Sequence, residues 1–287
     1  MIHAVLGVIT IPFDPVLFRV GSFGVHWYGV AYVVAFAVGM RITSGYARSR
    51  GFTEKQVSDL YWWNIAIGLL GGRLYFVIQQ PNLGDYLRNP IQVIAVWQGG
   101  MAFFGALMAC LLTSLVYAYR NHLSIWVILD AGALFATLPQ AIGRIGNIIN
   151  GDILGDRSNL PWAVRYTNPH TFAPQVGVAY QPAGAYELLG SLVLFAIVLL
   201  VLSRRPPVGF AGITYLIGYP VSQLLLFYLR STEPVLAFGL KQAQLTALAF
   251  LVVVIPLLIV LRRRYPGAFS PRPDEDHARL HSAADTG

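Results

Sequence analysis

The stretch GRIGNIINGD (residues 143–152) interrupts a long apolar run with an arginine and two asparagines, where hydrocarbon would favour Leu, Ile or Val. On a helix, Gln140, Arg144, Asn147 and then Asn150 or Gly151 fall on one face, while Ile142, Ile145, Ile148 and Ile149 cover the remainder. A guanidinium near the bilayer interior costs about 3 kcal/mol on insertion scales. The polar stripe must therefore face protein or a wet cavity. Two readings account for it. In one, Arg144 is compensated by an anionic ligand; in the other it is an interhelical clamp, pairing with Asp152 or with free carbonyls at a helix end.

Working outward, 56% of the 287 residues are hydrophobic and 11% charged, with a mean hydropathy of +0.58, which excludes a soluble globular domain. Apolar runs long enough to cross a bilayer occupy residues 25–42, 60–77, 101–119, 125–149, 186–202, 209–229 and 244–261. The expected fold is an all-α polytopic membrane protein with about seven transmembrane helices, some interrupted by glycine or charge, as at Gly71, Gly72 and Arg73. Plain basic clusters (Arg48, Arg50 and Lys55; Arg120; Arg204 and Arg205; Arg262, Arg263 and Arg264) follow alternate spans. They place those loops and the C-terminus in the cytoplasm and the N-terminus outside. Arg73, Arg144 and Arg230 differ in sitting at or inside helix ends beside Gly, Asn or Glu, and are read as site residues.

Residues 1–264 form one membrane domain. Its longest polar connection, about 151–185, holds Pro161, Pro169, Pro174 and Pro182 and is expected to build a small extracytoplasmic head over the membrane cavity. Residues 265–287, rich in Pro, charge and small side chains, read as a disordered cytoplasmic tail. No cleavable signal peptide is evident, so the first span should serve as its own insertion signal. The net charge of +7 is dispersed among the spans, which points to membrane lipids, anionic phospholipid above all, and not to nucleic acid. The single cysteine, Cys110, lies in an apolar run and reads as packing.

Several blocks together resemble the prolipoprotein diacylglyceryl transferase family. GRIGNIINGD is similar to its signature GRxGNFxNGE, and HWYG (residues 26–29) to its first-helix motif. LGGR (70–73), WQGGMAFFG (97–105), QPAGAYE (181–187) and FYLR (227–230) match further blocks in family order. The chain departs from the family pattern at Phe104 and Gln181, where histidines are usual, at Gly184 in place of a glutamine, at Asp152 in place of glutamate, and at Gln98, where an acid is common.

The resemblance implies an enzyme of the bacterial plasma (inner) membrane that moves the diacylglyceryl group of phosphatidylglycerol onto the lipobox cysteine of a prolipoprotein signal peptide. It is expected to be metal-independent and to need no cofactor. Arginine suits such a site because its planar fork stays charged and holds phosphate through paired hydrogen bonds. Arg144 and Arg230 correspond to the family's two essential arginines, and Tyr28 to a family site residue; a salt bridge to Glu233 is the structural alternative for Arg230. A phenyl ring at Phe104 cannot exchange protons, which leaves His26 or Asp152 as the candidate base. Asn147, Asn150, Gly151, Arg73, Gly100, Tyr186 and Glu187 complete the expected substrate-binding set. The competing expectation is a catalytically impaired paralogue that keeps the lipid cavity and acts as a scaffold or regulator; a transporter fits less well, because no repeated pair of broken helices is present.

Overall fold

The computed structural model describes residues 7–21, 23–96, 100–231 and 233–264. Trp97, Gln98 and Gly99 of the WQGGMAFFG block, and the tail expected to be disordered, lie outside them. In chain order the helices are α1 (Trp27–Ser49), α2 (Glu54–Ile78), the short α3 (Leu83–Arg88) and α4 (Pro90–Ile94), α5 (Phe103–Arg120), α6 (Ile125–Asn150), α7 (Ala183–Ser203), α8 (Phe210–Leu226) and α9 (Gln242–Arg264). Among the described residues seven of these are long, and six, all but α2, are also apolar enough to cross a membrane. The protein is thus a multi-pass membrane protein. The seventh expected span, α2, is 25 residues long but carries Glu54, Lys55, Asp59 and Arg73 and falls short on hydropathy.

Gly71 and Gly72 do not interrupt α2, which runs unbroken through them. They serve contact instead: a Cβ added at Gly71 would lie 2.9 Å from the Gly105 carbonyl oxygen, and one at neighbouring Gly68 2.7 Å from Cys110 Sγ. Small residues here let α2 and α5 approach backbone to backbone. Cys110 packs in this seam, its thiol donating to the Asn64 carbonyl at 3.4 Å.

Helix α6 is central, packed on α1, α7 and α8, while α5 to α9 enclose a core that includes Phe104, Leu134, Leu194, Val198, Tyr215, Tyr219 and Phe250. The connections 50–53, 121–124 and 204–209 gather at one end of the bundle, with Arg48, Arg50, Arg120, Arg204 and Arg205 beside them. Buried Asp130 of α6 closes that end. Its carboxyl group accepts from the backbone amides of Gly209 (2.8 Å) and Gly212 (2.9 Å) and from the Tyr46 hydroxyl (2.9 Å). Gly209, at φ +102°, is the N-cap of α8 and has no side chain of its own, so a neighbouring helix supplies the cap. Asp130→Ala leaves these donors buried without an acceptor and is expected to lower stability by about 2 kcal/mol. Thermal unfolding in micelles checks this, and an unchanged midpoint would refute the capping role.

Short strands cover the opposite end. β1 (Ile9–Ile11) pairs parallel with β4 (Val164–Tyr166), which pairs antiparallel with β5 (Ala179–Tyr180). Ile11, Leu154, Val164, Tyr166 and Tyr180 form a small separate core there. This small head is built from the N-terminal strand as well as from the long connection after α6. After it α7 starts at Ala183, with Pro182 at the N-cap and Gly184 donating to the Ile153 carbonyl at 3.0 Å. Two hairpins, β2 (Val16–Val20) with β3 (Phe23–His26) and β6 (Val235–Ala237) with β7 (Leu240–Lys241), lead directly into α1 and α9.

Candidate functional site

At the head end the bundle opens a cavity of about 430 Å³, lined among others by Tyr28, Tyr32, Phe104, Gln140, Gly143, Arg144, Asn147, Tyr219, Gln223, Arg230 and Glu233. The polar stripe of α6 thus faces a cavity along Gln140, Arg144 and Asn147, while Ile145 on another face stays exposed. Glu187, the fifth residue of α7, is the centre of the charge arrangement. Arg144 Nη2 lies 2.5 Å from Glu187 Oε2; Arg230 Nε and Nη2 lie 2.5 and 3.0 Å from Oε1 and Oε2. The side chains are 18% exposed for Arg144, 12% for Arg230 and 1% for Glu187, so three helical segments converge on one buried carboxylate. Among these three buried side chains the charges sum to +1 in a low-dielectric setting, before the more open Glu233 is counted.

Arg230 follows a single 3-10 turn, Phe227–Leu229, and its guanidinium lies 4.3 Å from the Phe227 ring centroid. Its Nη1 is 3.5 Å from Glu233 Oε1, a half-open side chain. Lys241 of β7 donates to the carbonyls of Phe227 (2.8 Å) and Arg230, which ties the hairpin to the turn. On α6, Arg144 donates to Asn147 Oδ1 at 3.4 Å and Asn147 Nδ2 donates to both oxygens of Asp152, at 3.2 and 3.1 Å. Desolvation by the surrounding protein raises the Asp152 pKa above the ordinary carboxylate value; the Asn147 hydrogen bond and the nearby guanidiniums oppose it. Asp152 still reaches solvent at its outer edge.

Helix α6 stops where it does because Gly151 takes φ +79° and donates to the Asn147 carbonyl at 2.9 Å. A Cβ there would meet Thr171 Oγ1 at 2.6 Å as well as being strained. Asn150 turns to the head, its carbonyl accepting from the Phe172 amide (2.9 Å) and the Thr171 hydroxyl (3.1 Å). Gly146 brings α1 close, since an added Cβ would lie 2.9 Å from Tyr28 Cα. That approach sets Tyr28 at the cavity wall, where its hydroxyl donates to that of Tyr32 at 2.9 Å.

Of the expected site residues Tyr28, Arg144, Asn147 and Arg230 line this cavity, whereas Asn150, Gly151, Asp152, Glu187 and four others do not. His26 is held in the β2–β3 hairpin, its Nδ1 3.1 Å from the Gly24 carbonyl. Arg73 is buried at the α2 end, where it donates to the carbonyls of Gln92 (2.7 Å) and Gly100 (3.3 Å) and lies over the rings of Phe76 and Tyr86. Gly100 accordingly acts as an acceptor for that anchor, at φ +70°. Tyr186 accepts from Trp162 Nε1 at 2.7 Å. Arg144 meets Glu187, not Asp152, and Arg230 meets Glu187 more closely than Glu233. Sequence reading passed over Tyr32, Tyr219 and Gln223. Each stands four residues from another polar lining or core group (Tyr28, Tyr215 and Tyr219), a spacing inside apolar helices that marks them in retrospect.

A sequence profile of prolipoprotein diacylglyceryl transferase matches residues 15–260, which takes in the whole cavity and every long helix but for the last four residues of α9. The chain belongs to the prolipoprotein diacylglyceryl transferase family. A phosphatidylglycerol–prolipoprotein diacylglyceryl transferase of Polynucleobacter asymbioticus is 35% identical over 257 residues, covering 86% of this chain and 95% of its own length. Proteins of the same name from Bordetella avium and Methylobacillus flagellatus are each 33% identical, over 88% of this chain and 96% and 98% of their own lengths. In this transferase-family chain, Phe104 lies on the cavity wall as well as in the core, its ring centroid 6.0 Å from that of Tyr219. Gln181, the other departure from a family histidine, lies off the lining and uses its backbone to bind Gly155 (2.9 Å) and Asp156 (2.9 Å).

Proposed function

We propose that the protein transfers the diacylglyceryl group of phosphatidylglycerol to the lipobox cysteine thiol of a prolipoprotein signal peptide and releases glycerol phosphate. The observation that carries this reading is the pair Arg144 and Arg230, gathered on one buried carboxylate at the wall of a cavity among membrane-spanning helices. Family membership favours it over a non-catalytic lipid-binding paralogue. An adjoining apolar cavity of about 330 Å³ shares Met101, Phe103 and Ala106 with the polar one, which suits a lipid whose head and tails need different surroundings.

In the proposed step the thiolate sulfur attacks the glyceryl carbon that bears the phosphate. The carbon–oxygen bond breaks, its electron pair leaves on the phosphate oxygen, and a thioether remains on the peptide. Charge grows on the departing phosphate, so donors fixed beforehand by Arg144 and Arg230 favour the transition state. Tyr28 and Asn147 orient the head group. Asp152, joined to Arg144 through Asn147, takes the thiol proton and passes it to solvent. Little assistance is needed, since a thiol with a pKa of about 8.5 is already partly ionised at neutral pH. His26, engaged in its hairpin, is the less favoured base.

The membrane is the bacterial plasma membrane, with the cavity, the head and the N-terminus on the extracytoplasmic face. Support comes from the basic residues at the helix ends opposite the cavity, which follow the positive-inside bias. Incubating the pure protein with phosphatidylglycerol vesicles and a lipobox peptide tests the reading by mass spectrometry. A mass gain of one diacylglyceryl group is expected; bound but unmodified peptide would support the scaffold reading, to which Phe104 on the cavity wall lends its weight.

A further inference from the structure

Glu187 has a role that goes beyond holding two arginines, and it follows from charge and geometry on the transferase reading above. Its carboxylate takes the two-donor edge of the Arg230 fork and one amino group of Arg144, and is itself sealed from solvent. The buried set therefore carries one net positive charge. Glu233 and Lys241, of opposite sign, flank Arg230 in more open positions and offset each other, and the Asp152 carboxylate, though negative, stands at the exposed rim where solvent screens it. The two phosphates of the reaction differ by about one charge. A phosphodiester head group is a monoanion, whereas the released phosphomonoester, with a second pKa near about 6, is close to a dianion at neutral pH.

We propose that Glu187 is a specificity-determining residue that sets the site at a single positive charge, matched to the phosphodiester substrate and mismatched to the phosphomonoester product. A monoanion neutralises the site. The partial charge that develops in the transition state still meets Arg144 and Arg230, but the full second charge of the released product exceeds the site's single positive charge, so the product is held less firmly and departs. Glu187 also withholds the paired donors of Arg230 from the ligand, which would otherwise grip a monoester from two sides.

Binding to the detergent-solubilised full chain at pH 8, where the monoester is dianionic, tests this with two soluble probes: glycerol phosphate and the deacylated diester glycerophosphoglycerol. Wild type is expected to bind the diester at least as well as the monoester. In Glu187→Gln the site gains a charge, so monoester binding should tighten about tenfold and the preference reverse, while Glu187→Asp returns the ratio toward wild type. A wild type that prefers the monoester, or a Glu187→Gln protein whose ratio is unchanged, overturns the proposal. Should Glu187→Gln fail to fold, the wild-type ratio decides alone. Transfer to a lipobox peptide, measured on the same wild-type sample, reports separately on the transferase reading.

Discussion

Arg144→Ala is expected to lower diacylglyceryl transfer by about a hundredfold or more, the scale seen when one fixed donor is removed from a site of developing negative charge. The loss should fall on the chemical step more than on folding, because Glu187 keeps Arg230 as a partner. Arg144→Lys separates charge from shape. The ammonium retains the charge but not the planar fork, so an intermediate rate is expected. Mass gain on a lipobox peptide at saturating phosphatidylglycerol measures both variants. Transfer by Arg144→Ala at the wild-type rate would rule out a phosphate clamp at this position.

Glu187→Ala should be among the most destabilising substitutions in the protein, by roughly 3–5 kcal/mol, the usual cost of removing one partner from a buried ion pair. Here one deletion strands two guanidiniums, on α6 and just beyond α8, that are 18% and 12% exposed. Water entering the cavity would relieve part of that cost. Thermal unfolding in micelles should therefore show a lowered midpoint for Glu187→Ala, partly recovered when Arg230→Ala is added, because the second change removes one stranded charge. Strict additivity of the two would mean that the carboxylate and Arg230 do not act as a pair.

Both expectations rest on one buried triad, and its legibility in the sequence was uneven. Arg144 and Asn147 stood out because three- and four-residue spacing puts them on a single face of an otherwise apolar helix, and that face does line the cavity. Arg230 was marked by its place at a helix end beside Glu233, Glu187 only through a family block, and nothing in their spacing paired them. Asp152 was the nearer acid to Arg144 along the chain, yet it bonds Asn147 instead. Arg73 carried the same local signature as Arg144, beside glycines in an apolar run, but serves to anchor the α2 end to the carbonyls of Gln92 and Gly100. Asp130 attracted no notice as a sequence feature, because the backbone amides it caps belong to a helix about eighty residues away, as the separations of 79 and 82 residues record.

From the sequence by itself came the long apolar helices, the polar face of α6 and the family, since hydropathy, periodicity and motif order are properties of neighbouring residues. The tertiary structure alone decided that Arg144 and Arg230 converge on Glu187, and that His26 and Arg73 stand off the cavity. Helical periodicity orients a side chain about its own axis and says nothing of which helix will face it. A buried charge takes whichever partner packing delivers, and in this bundle the packing of α6 against α7 and α8 delivers Glu187.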